Sequence, residues 1–241
     1  MHPAAEADLG RAPYVAYRVG GIVRPVAWPS QARGRWPTRT VVSFPTMTSP
    51  TPRRSAVATP SLRRVSSADL RPAEVASIRT MMIDAFAPMA DEEGAFEEAD
   101  WEHALGGTHV VLELGGELLA HAAVVERHIE VDGWPLRTGY VEAVATRVGH
   151  QGRGHGSAVM GEVAAIIRDG FELGVLGSGR FAFYERLGWE RWRGTSFVRT
   201  THGLEATPDD DAYLLVLRTP STPPLDLRAA ITCEWRPGDV W

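Results

Sequence analysis

A glutamate followed by a glycine-rich turn is the arrangement in this chain with the clearest chemical potential. Glu142 lies in Gly139-Tyr-Val-Glu-Ala-Val-Ala-Thr-Arg147, and the spacing Gln151-x-x-Gly154-x-Gly156 follows directly. Glycines allow an anion to approach the backbone closely, and the unpaired N–H groups of a helix's first turn bind phosphate. The segment therefore predicts a strand, a phosphate-binding turn and a helix.

Glu142 and Tyr184 are the two residues whose side chains could move protons. The neighbours of Glu142 on its strand are apolar, so an idle charge is disfavoured there and a general base is favoured. The alternative is an exposed strand acid. Tyr184 lies in Phe183-Tyr-Glu-Arg-Leu-Gly-Trp189. A phenol with an ordinary pKa near ~10 can protonate a leaving group such as a thiolate, the alternative being a core tyrosine.

Other reactive side chains give weaker signals. Cys233 is the one cysteine, which excludes an internal disulfide and indicates a reducing compartment. It has no clear histidine partner, so we interpret it as structural. His150 and His155 lack the spacing of metal ligands, and no metal is predicted. The remaining histidines, among them His103, His109 and His121, are scattered and receive no chemistry.

Charge is distributed unevenly along the 241 residues. Residues 1–60 contain eight Arg and two acids, whereas residues 61–241 contain 17 Arg and 28 acids. The acidic part disfavours nucleic acid as a ligand and is compatible with a cationic one. Solubility alone would also account for it.

Residues 1–60 have no sustained period of two or 3.6 and are interrupted by prolines. We interpret them as a disordered basic tail, with a basic arm for an acidic partner as the alternative. Met47 offers a later start of translation. No stretch has the roughly 18 apolar residues of a membrane span, and no signal-peptide core is visible. A cytoplasmic protein without membrane contact is expected.

Hydrophobic periodicity predicts one domain, taken as residues 61–241, in which order begins near Ser67. Ser66-Ser67 and Pro72 indicate a helix start, Gly115-Gly116 and Asp132-Gly133 indicate hairpins. The predicted helices cover 97–105, 153–169 and 181–187 besides the first. The predicted strands cover 109–114, 117–129, 136–147, 171–176, 196–199, 213–217 and 231–235.

This order of elements, together with the Gln-x-x-Gly-x-Gly turn, resembles the GNAT N-acetyltransferases. The resemblance implies an α+β fold whose mixed central sheet, flanked by helices, splays at the acyl-CoA strand. It implies acetyl-CoA as the co-substrate, with the main chain of Val144 and Thr146 pairing with pantetheine. The amides of one continuous segment would bind the pyrophosphate: Gln151, Gly152, Arg153, Gly154, His155, Gly156 and Ser157.

A narrower resemblance, to the aminoglycoside 2′-N-acetyltransferases, covers roughly residues 65–241. Its motifs are Asp100-Trp-Glu-His-Ala-Leu-Gly-Gly107, His121-Ala-Ala-Val124, Gly139-Tyr-Val-Glu142, Tyr184-x-x-x-Gly-Trp189, Thr207-Pro-Asp-Asp-Asp211 and Cys233-Glu-Trp-Arg-Pro-Gly-Asp-Val-Trp241. The ending is the most specific of these. The resemblance implies a direct acetyl transfer to the 2′-amine of an aminoglycoside, which confers drug resistance.

The same resemblance assigns roles to individual residues. Glu142 would act as base, through water, and Tyr184 as acid. The substrate would be bound by Asp100, Glu142, Asp210, Asp239 and Trp241, the last through its indole and the terminal carboxylate. Carboxylates suit the ammonium groups of an aminoglycoside. Each acid also has a plain alternative: a helix cap at Asp100, a solvated turn at Asp210, a frayed tail at Asp239.

Two departures leave the preferred drug open. Where the family has another acid before Asp100, this chain has Ala95, with Asp91, Glu92 and Glu93 out of register, and Gly177 replaces an expected serine. Another small polyamine, amino sugar or cell-wall precursor is the alternative substrate. A non-catalytic binder or sensor of cationic drug or acetyl-CoA is the alternative class. Many relatives dimerise, but no apolar stripe in the sequence identifies a homodimer surface.

Overall fold

The computed structural model describes residues 59–87 and 96–241. The predicted tail therefore lies outside the described residues except for its last two positions. Ala95 and the acids at 91–93 also lie outside them. In the described part, no helix is long and apolar enough to cross a membrane.

The described residues form one mixed sheet with helices on both faces. The helices are α1 Pro72–Phe86, preceded by a 3₁₀ turn at Ser67–Asp69, α2 Glu98–His103, α3 His155–Gly170 and α4 Phe181–Glu185. The strands are β1 Ser61–Ser66, β2 Thr108–Leu114, β3 Glu117–Val131, β4 Trp134–Thr146, β5 Leu173–Gly177, β6 Glu190–Arg191, β7 Ser196–Thr200, β8 Gly203–Ala206, β9 Leu214–Arg218 and β10 Ile231–Glu234.

The long strand β3 organises the sheet, whose order is β6-β9-β5-β4-β3-β10-β7-β8. One edge of β3 pairs with β4 over almost its whole length. The other edge pairs first with β2 and then, from Ile129 to Val131, with β10. The β4–β5 and β7–β10 pairs are parallel, so the sheet is mixed.

Each face of the sheet is covered by helices with a regular apolar side. The apolar side of α3 packs on one face through Val159, Val163 and Ile167. On the other face, α1 and α2 bury Ile78, Met82 and Trp101. Strand β4 contacts both α1 and α3, so its side chains are positioned from both sides.

The sheet opens beside the second half of β4. Only Thr138 to Tyr140 pair with β5, although β4 continues to Thr146. The β3–β4 register also shifts between His121 and Ala123, where Ala143 has the left-handed φ of 52°. A bulge of this kind inserts one residue and bends the strand. The end of β4 therefore diverges from β5 and leaves a cleft.

Three strands were missed by the sequence analysis, namely β1, β6 and β8. The prediction that order begins near Ser67 is wrong, since β1 pairs with β2 from Ser61 to Ser66. Its side chains are mostly exposed or half-buried, so backbone pairing forms the strand without an apolar pattern. The two residues of β6 and the exposed β8 likewise carry no period-2 signal.

Candidate active site

The cleft beside β4 brings together most of the predicted reactive residues. Its volume is about 680 Å³, open to solvent. Its lining comes from α1, α2, β4, β5, α4 and the segment after β10: Met82, Phe86, Phe96, Asp100, His103, Tyr140, Val141, Glu142, Ala143, Val144, Leu176, Gly177, Tyr184, Arg236, Asp239 and Trp241. Glu142 and Tyr184 therefore share one cleft, as the sequence predicted.

Glu142 is largely buried and ion-paired. Its Oε1 accepts a 2.7 Å hydrogen bond from Nη1 of Arg236, and only 16% of its side chain is exposed. No other hydrogen bond of the carboxylate is formed within the described residues, so Oε2 remains available for water or a ligand. The bond from Arg236 fixes the orientation of the whole carboxylate, including that of Oε2.

Arg236 is a residue of the cleft that the sequence analysis missed. Besides pairing with Glu142, its Nε donates to the carbonyl oxygen of Asp239 at 2.7 Å. Its guanidinium lies 5.4 Å from the ring centroid of Tyr140. The signal was its position as the one basic residue of the ending Cys233–Trp241, but no sequence rule indicated which acid it would meet.

Tyr184 is buried on α4, between Phe183 and Trp189, whose rings contact it edge-on. Burial raises its pKa well above the usual range, and a hydrogen bond with Ser178 only partly offsets this. The phenol is therefore protonated at physiological pH. A neutral phenol in the cleft that also contains Glu142 can donate a proton there.

The glycine-rich turn lies at the end of β4 and begins α3. Gly154 is the N-cap with a left-handed φ of 86°. The first helical bond is Ala158 N–H to Gly154 C=O, so the amides of residues 155–157 precede the ladder. Gln151 donates through Nε2 to the Thr146 carbonyl at 3.3 Å, which fastens the turn to the strand.

Gly156, in the first turn of α3, has little room for a side chain. An added Cβ would lie 3.2 Å from Oγ1 of Thr146 and 3.6 Å from the ring of Phe183. Val144 lines the cleft beside Glu142, whereas residues 151–157 lie outside the cleft lining, beyond the end of β4 at Thr146. Gly152, Arg153, His155 and Ser157 share the turn, so all predicted cofactor residues form one continuous edge.

Two of the three predicted substrate acids, Asp100 and Asp239, line the cleft directly. Asp210 lies outside the cleft lining and is 8% exposed. Its pKa is raised to about 6 by burial, then by the charge of Asp239 and of its neighbours Asp209 and Asp211. The carboxylate of Asp210 therefore interacts with the cleft through the charge of Asp239.

One of the plain alternatives, the helix cap at Asp100, is also present in the structure. Asp100 Oδ2 accepts from Glu97 N–H at 2.8 Å, which makes it a helix cap as well as a cleft residue. Asp211 points elsewhere, because its Oδ1 accepts from the hydroxyl and backbone N–H of Ser196. Asp210 is therefore the member of the Asp209–Asp211 run that couples to the cleft.

The ending of the chain is anchored rather than frayed. Arg127 donates to the carbonyls of Glu234 and Val240 at 2.9 and 2.8 Å, and His103 Nε2 donates to that of Pro237 at 2.7 Å. Trp241 is 4% exposed, lines the cleft and donates through Nε1 to Thr207 Oγ1 at 2.9 Å. These contacts hold Asp239 in place.

Cys233 belongs to the buried core beneath this ending. Burial raises the pKa of its thiol to about 11, and the Sγ contacts the Val240 carbonyl at 3.4 Å. A protonated, buried thiol is a poor nucleophile. The interpretation of Cys233 as structural agrees with this geometry.

The chain is similar to a known family and to individual known proteins. Residues 68–192 match the family model described as an acetyltransferase (GNAT) domain. An aminoglycoside 2′-N-acetyltransferase of Mycolicibacterium fortuitum is 45% identical over 167 residues, which are 68% of this chain and 83% of that protein. The family-model match contains Glu142, the glycine-rich turn and Tyr184.

Two solved structures are also similar. A GNAT family acetyltransferase from Brucella melitensis in complex with acetyl-CoA has a TM-score of 0.48 and 21% identity, and covers 72% of this chain and 94% of that one. An acyl-CoA N-acyltransferase from Pseudomonas aeruginosa has a TM-score of 0.49 and 15% identity, and covers 66% of this chain and 99% of that one.

Proposed function

Because the chain belongs to the GNAT acetyltransferases and, within them, to the family of the aminoglycoside 2′-N-acetyltransferases, we propose that it acetylates the 2′-amino group of an aminoglycoside. The donor in this proposal is acetyl-CoA. The observation that carries it is a cleft that contains Glu142 and Tyr184 and is lined by Asp100 and Asp239, with the charge of Asp239 acting on the buried Asp210.

Acetyl-CoA would bind along the open edge of β4. The backbone beyond Tyr140 has no β5 partner, so the main chain of Val144 and Thr146 can pair with the amides of pantetheine as an extra strand would. The pyrophosphate would meet the amides of residues 151–157 at the start of α3. In this pose the thioester would lie near the bulge, beside Glu142.

The aminoglycoside would bind from the opposite side through its ammonium groups. Asp100, Asp210 and Asp239 supply charge-assisted hydrogen bonds, and the buried Trp241 forms a wall of the same cleft. The raised pKa of Asp210 supports this role, since a bound ammonium group would offset both the burial of this carboxylate and the negative charge of Asp239 nearby. Gly177 lines the cleft and leaves room where a side chain would otherwise stand.

The chemical step needs a neutral amine, a stabilised oxyanion and a protonated leaving group. Glu142 would take the proton of the 2′-ammonium through a water at Oε2. The neutral nitrogen attacks the thioester carbonyl and the C–N bond forms, then the C–S bond breaks and Tyr184 would give its proton to the departing thiolate. The second proton that the nitrogen loses on becoming an amide would pass through water to the Tyr184 phenolate, and the proton on Glu142 would leave to solvent. Transfer is direct, and no acetyl group is carried by the protein.

Arg236 would orient the base during this step. Its bond to Oε1 holds the carboxylate, and its bond to the Asp239 carbonyl ties the base to the segment that carries a substrate acid. Binding of the drug would therefore be communicated to Glu142 through a single guanidinium. Use of acetyl-CoA and the single buried thiol support action in the cytoplasm, as the sequence analysis expected.

The test is free-thiol release from acetyl-CoA by the full chain with tobramycin, kanamycin A and spermidine. Tobramycin has a 2′-amine, kanamycin A has a 2′-hydroxyl, and spermidine is a simple polyamine. Turnover with tobramycin but not kanamycin A is expected. Turnover with spermidine alone would favour a polyamine acetyltransferase. Acetyl-CoA or drug binding without any turnover would favour the binder.

A further inference from the structure

Two buried histidines form a hydrogen-bonded chain that ends at the bulge of β4. His121 Nδ1 lies 2.8 Å from the carbonyl oxygen of Ala143, and His121 Nε2 lies 2.9 Å from His109 Nδ1. His109 Nε2 in turn lies 2.8 Å from Ser67 Oγ. Both imidazoles are fully buried, and neither takes part in the mechanism proposed above.

When both rings are neutral, the carbonyl acceptor at the end of this chain determines which nitrogen of each ring carries the hydrogen. A carbonyl oxygen can only accept, so Nδ1 of His121 carries the hydrogen and its Nε2 accepts from Nδ1–H of His109. His109 Nε2 then accepts from the Ser67 hydroxyl at 2.8 Å, which is closer than the other acceptor of this hydroxyl, the Gly107 carbonyl at 3.2 Å. The Ser67 oxygen accepts from Gly107 N–H at 3.2 Å. Burial lowers the pKa of His109 to about 4 and that of His121 to about 3, which agrees with two neutral rings.

The hydrogen bond from His121 lies at the strained residue of the bulge. Ala143 has a φ of 52°, a conformation that a residue with a Cβ rarely adopts. The register shift between His121 and Ala123 leaves the Ala143 carbonyl outside the β3–β4 ladder. The imidazole of His121 supplies the hydrogen bond that the ladder does not.

The bulge also decides which way Glu142 faces. Val141 and Val144 pack on the α3 side of the sheet, whereas Ala143 and Ala145 pack on the α1 side. Regular alternation would place Val141 and Val144 on opposite faces, so one residue is inserted between them. A straightened strand would turn either Glu142 or the backbone beyond it away from the cleft.

We infer that His121, supported by His109 and Ser67, is a positioning residue that fixes the bulge at Ala143 and thereby aims Glu142 at the amine. The inference rests on the proposed function, because its readout is the rate of acetyl transfer. It assigns no proton transfer to either histidine. It requires that turnover depend on the hydrogen bond that Nδ1–H of His121 donates to the Ala143 carbonyl.

The experiment compares His121→Asn, His121→Gln and His121→Leu by steady-state kinetics with acetyl-CoA and tobramycin. An asparagine amide can replace Nδ1–H, a glutamine amide extends toward the position of Nε2, and leucine replaces neither. His121→Leu and His121→Gln should lose on the order of tenfold to a hundredfold in kcat, with KM for acetyl-CoA within about threefold. His121→Asn should recover kcat to within about threefold of wild type.

Thr138→Val is the matched control, because it removes a buried hydroxyl from the same strand at a distance from the bulge. It should reduce thermal stability without lowering kcat. Wild-type kcat in His121→Leu would overturn the inference, and so would equal losses in His121→Asn and His121→Leu. Absence of turnover in the wild type would instead contradict the proposed function.

A second readout needs no substitution and no substrate. The ¹⁵N shifts of His109 and His121 in the unmodified chain report which ring nitrogen is protonated. Nδ1–H in both rings is expected, and it would persist even if the proposed function failed. Nε2–H in either ring would overturn the inference, because the chain of donors to Ala143 would then be broken.

Discussion

The two halves of the proposed site are built in different ways. The proposed acyl-CoA half is one continuous segment, from Val144 on β4 to Ser157 on α3, and it offers backbone groups. The proposed substrate half joins three cleft residues, Asp100, Asp239 and Trp241, with the neighbouring Asp210, and these lie in separate segments of the chain and offer side chains. A contiguous backbone site leaves a spacing motif in the sequence, whereas an assembled side-chain site leaves only scattered acids.

This difference predicts different sensitivities. The backbone half should respond to changes in glycine conformation and tolerate most side-chain changes. The substrate half should be sensitive to the loss of a single charged side chain. It also depends on the hydrogen bonds by which Arg127 and Arg236 hold the C-terminal segment. Glu142 lies on the border between the halves, so it should show the largest effect of all.

Glu142→Gln tests the border itself. The amide keeps the shape but cannot accept the proton, so kcat should fall by about 10²- to 10³-fold. The KM values for both substrates should stay within a few fold. Initial rates of thiol release measure this. Glu126→Gln is the control, since it removes another Glu–Arg ion pair at 3.0 Å, with Arg137, on the neighbouring strand. A loss in kcat equal to that of the control would contradict Glu142 as base.

Gly154→Ala tests the backbone half. Gly154 and Gly116 share a φ of 86°, and each has open space around an added Cβ. Both substitutions should therefore cost about 1–2 kcal/mol of stability through left-handed strain. Only Gly154→Ala should raise the KM for acetyl-CoA, by about tenfold, because it alone distorts the phosphate turn. Equal KM values in the two variants would remove the turn from the cofactor site.

Asp210→Asn and Asp211→Asn test the substrate half with adjacent residues. The pKa of Asp210 is raised to about 6, so its ionised form destabilises the fold above that pH. Asp210→Asn should then raise stability at pH 8, by on the order of 1–2 kcal/mol, yet raise the KM for tobramycin about tenfold. The gain should shrink as the pH falls from about 6 toward 4, because Asp210 then becomes protonated in the folded state and its buried charge is lost.

Asp211→Asn should behave in the opposite way. It weakens the hydrogen bonds from Ser196, so stability should fall by about 1 kcal/mol while the KM for tobramycin changes little. Urea unfolding and initial rates on the same preparations decide between the two residues. If both variants lose stability and neither changes the KM, the Asp209–Asp211 run is only a turn.

The smallest effect concerns acid stability beneath the bulge. His109 and His121 have depressed pKa values, so the unfolded chain binds more protons and stability falls as the pH drops from about 6.5 toward 4. Each should contribute about 1–2 kcal/mol of loss by pH 5. His121→Asn should reduce the difference in unfolding free energy between pH 7.5 and 5. An unchanged difference would mean that His121 is not neutral in the fold.

The sequence predicted the fold where periodicity was strong. Helices α1 and α3 and strands β2 to β4 appear within a few residues of their expected bounds, because their apolar sides form the core. Strands β1 and β8 were missed because backbone pairing, not side-chain burial, forms them. Their partners could not be inferred from spacing within the strands themselves.

The candidate site likewise contains residues that local motifs predicted and contacts that no local pattern indicates. Glu142, the turn and Tyr184 followed from local motifs, and the structure places Glu142 and Tyr184 in one cleft. The pairing of Arg236 with Glu142 spans 94 positions, and no local pattern indicates it. The His109–His121 contact follows more directly from the sequence, since the predicted Gly115-Gly116 hairpin brings the two residues to neighbouring positions. The bulge at Ala143, which accepts the hydrogen bond from His121, has no signal in the sequence.

The most direct test of the account is the position of the acetyl group on its product. Tobramycin would be incubated with the full chain and ¹³C-acetyl-CoA, and the product analysed by two-dimensional NMR. The account predicts a single acetyl group on the 2′-nitrogen. Acetylation at any other nitrogen, or at several, would contradict the way in which the substrate acids and Glu142 are proposed to orient the drug.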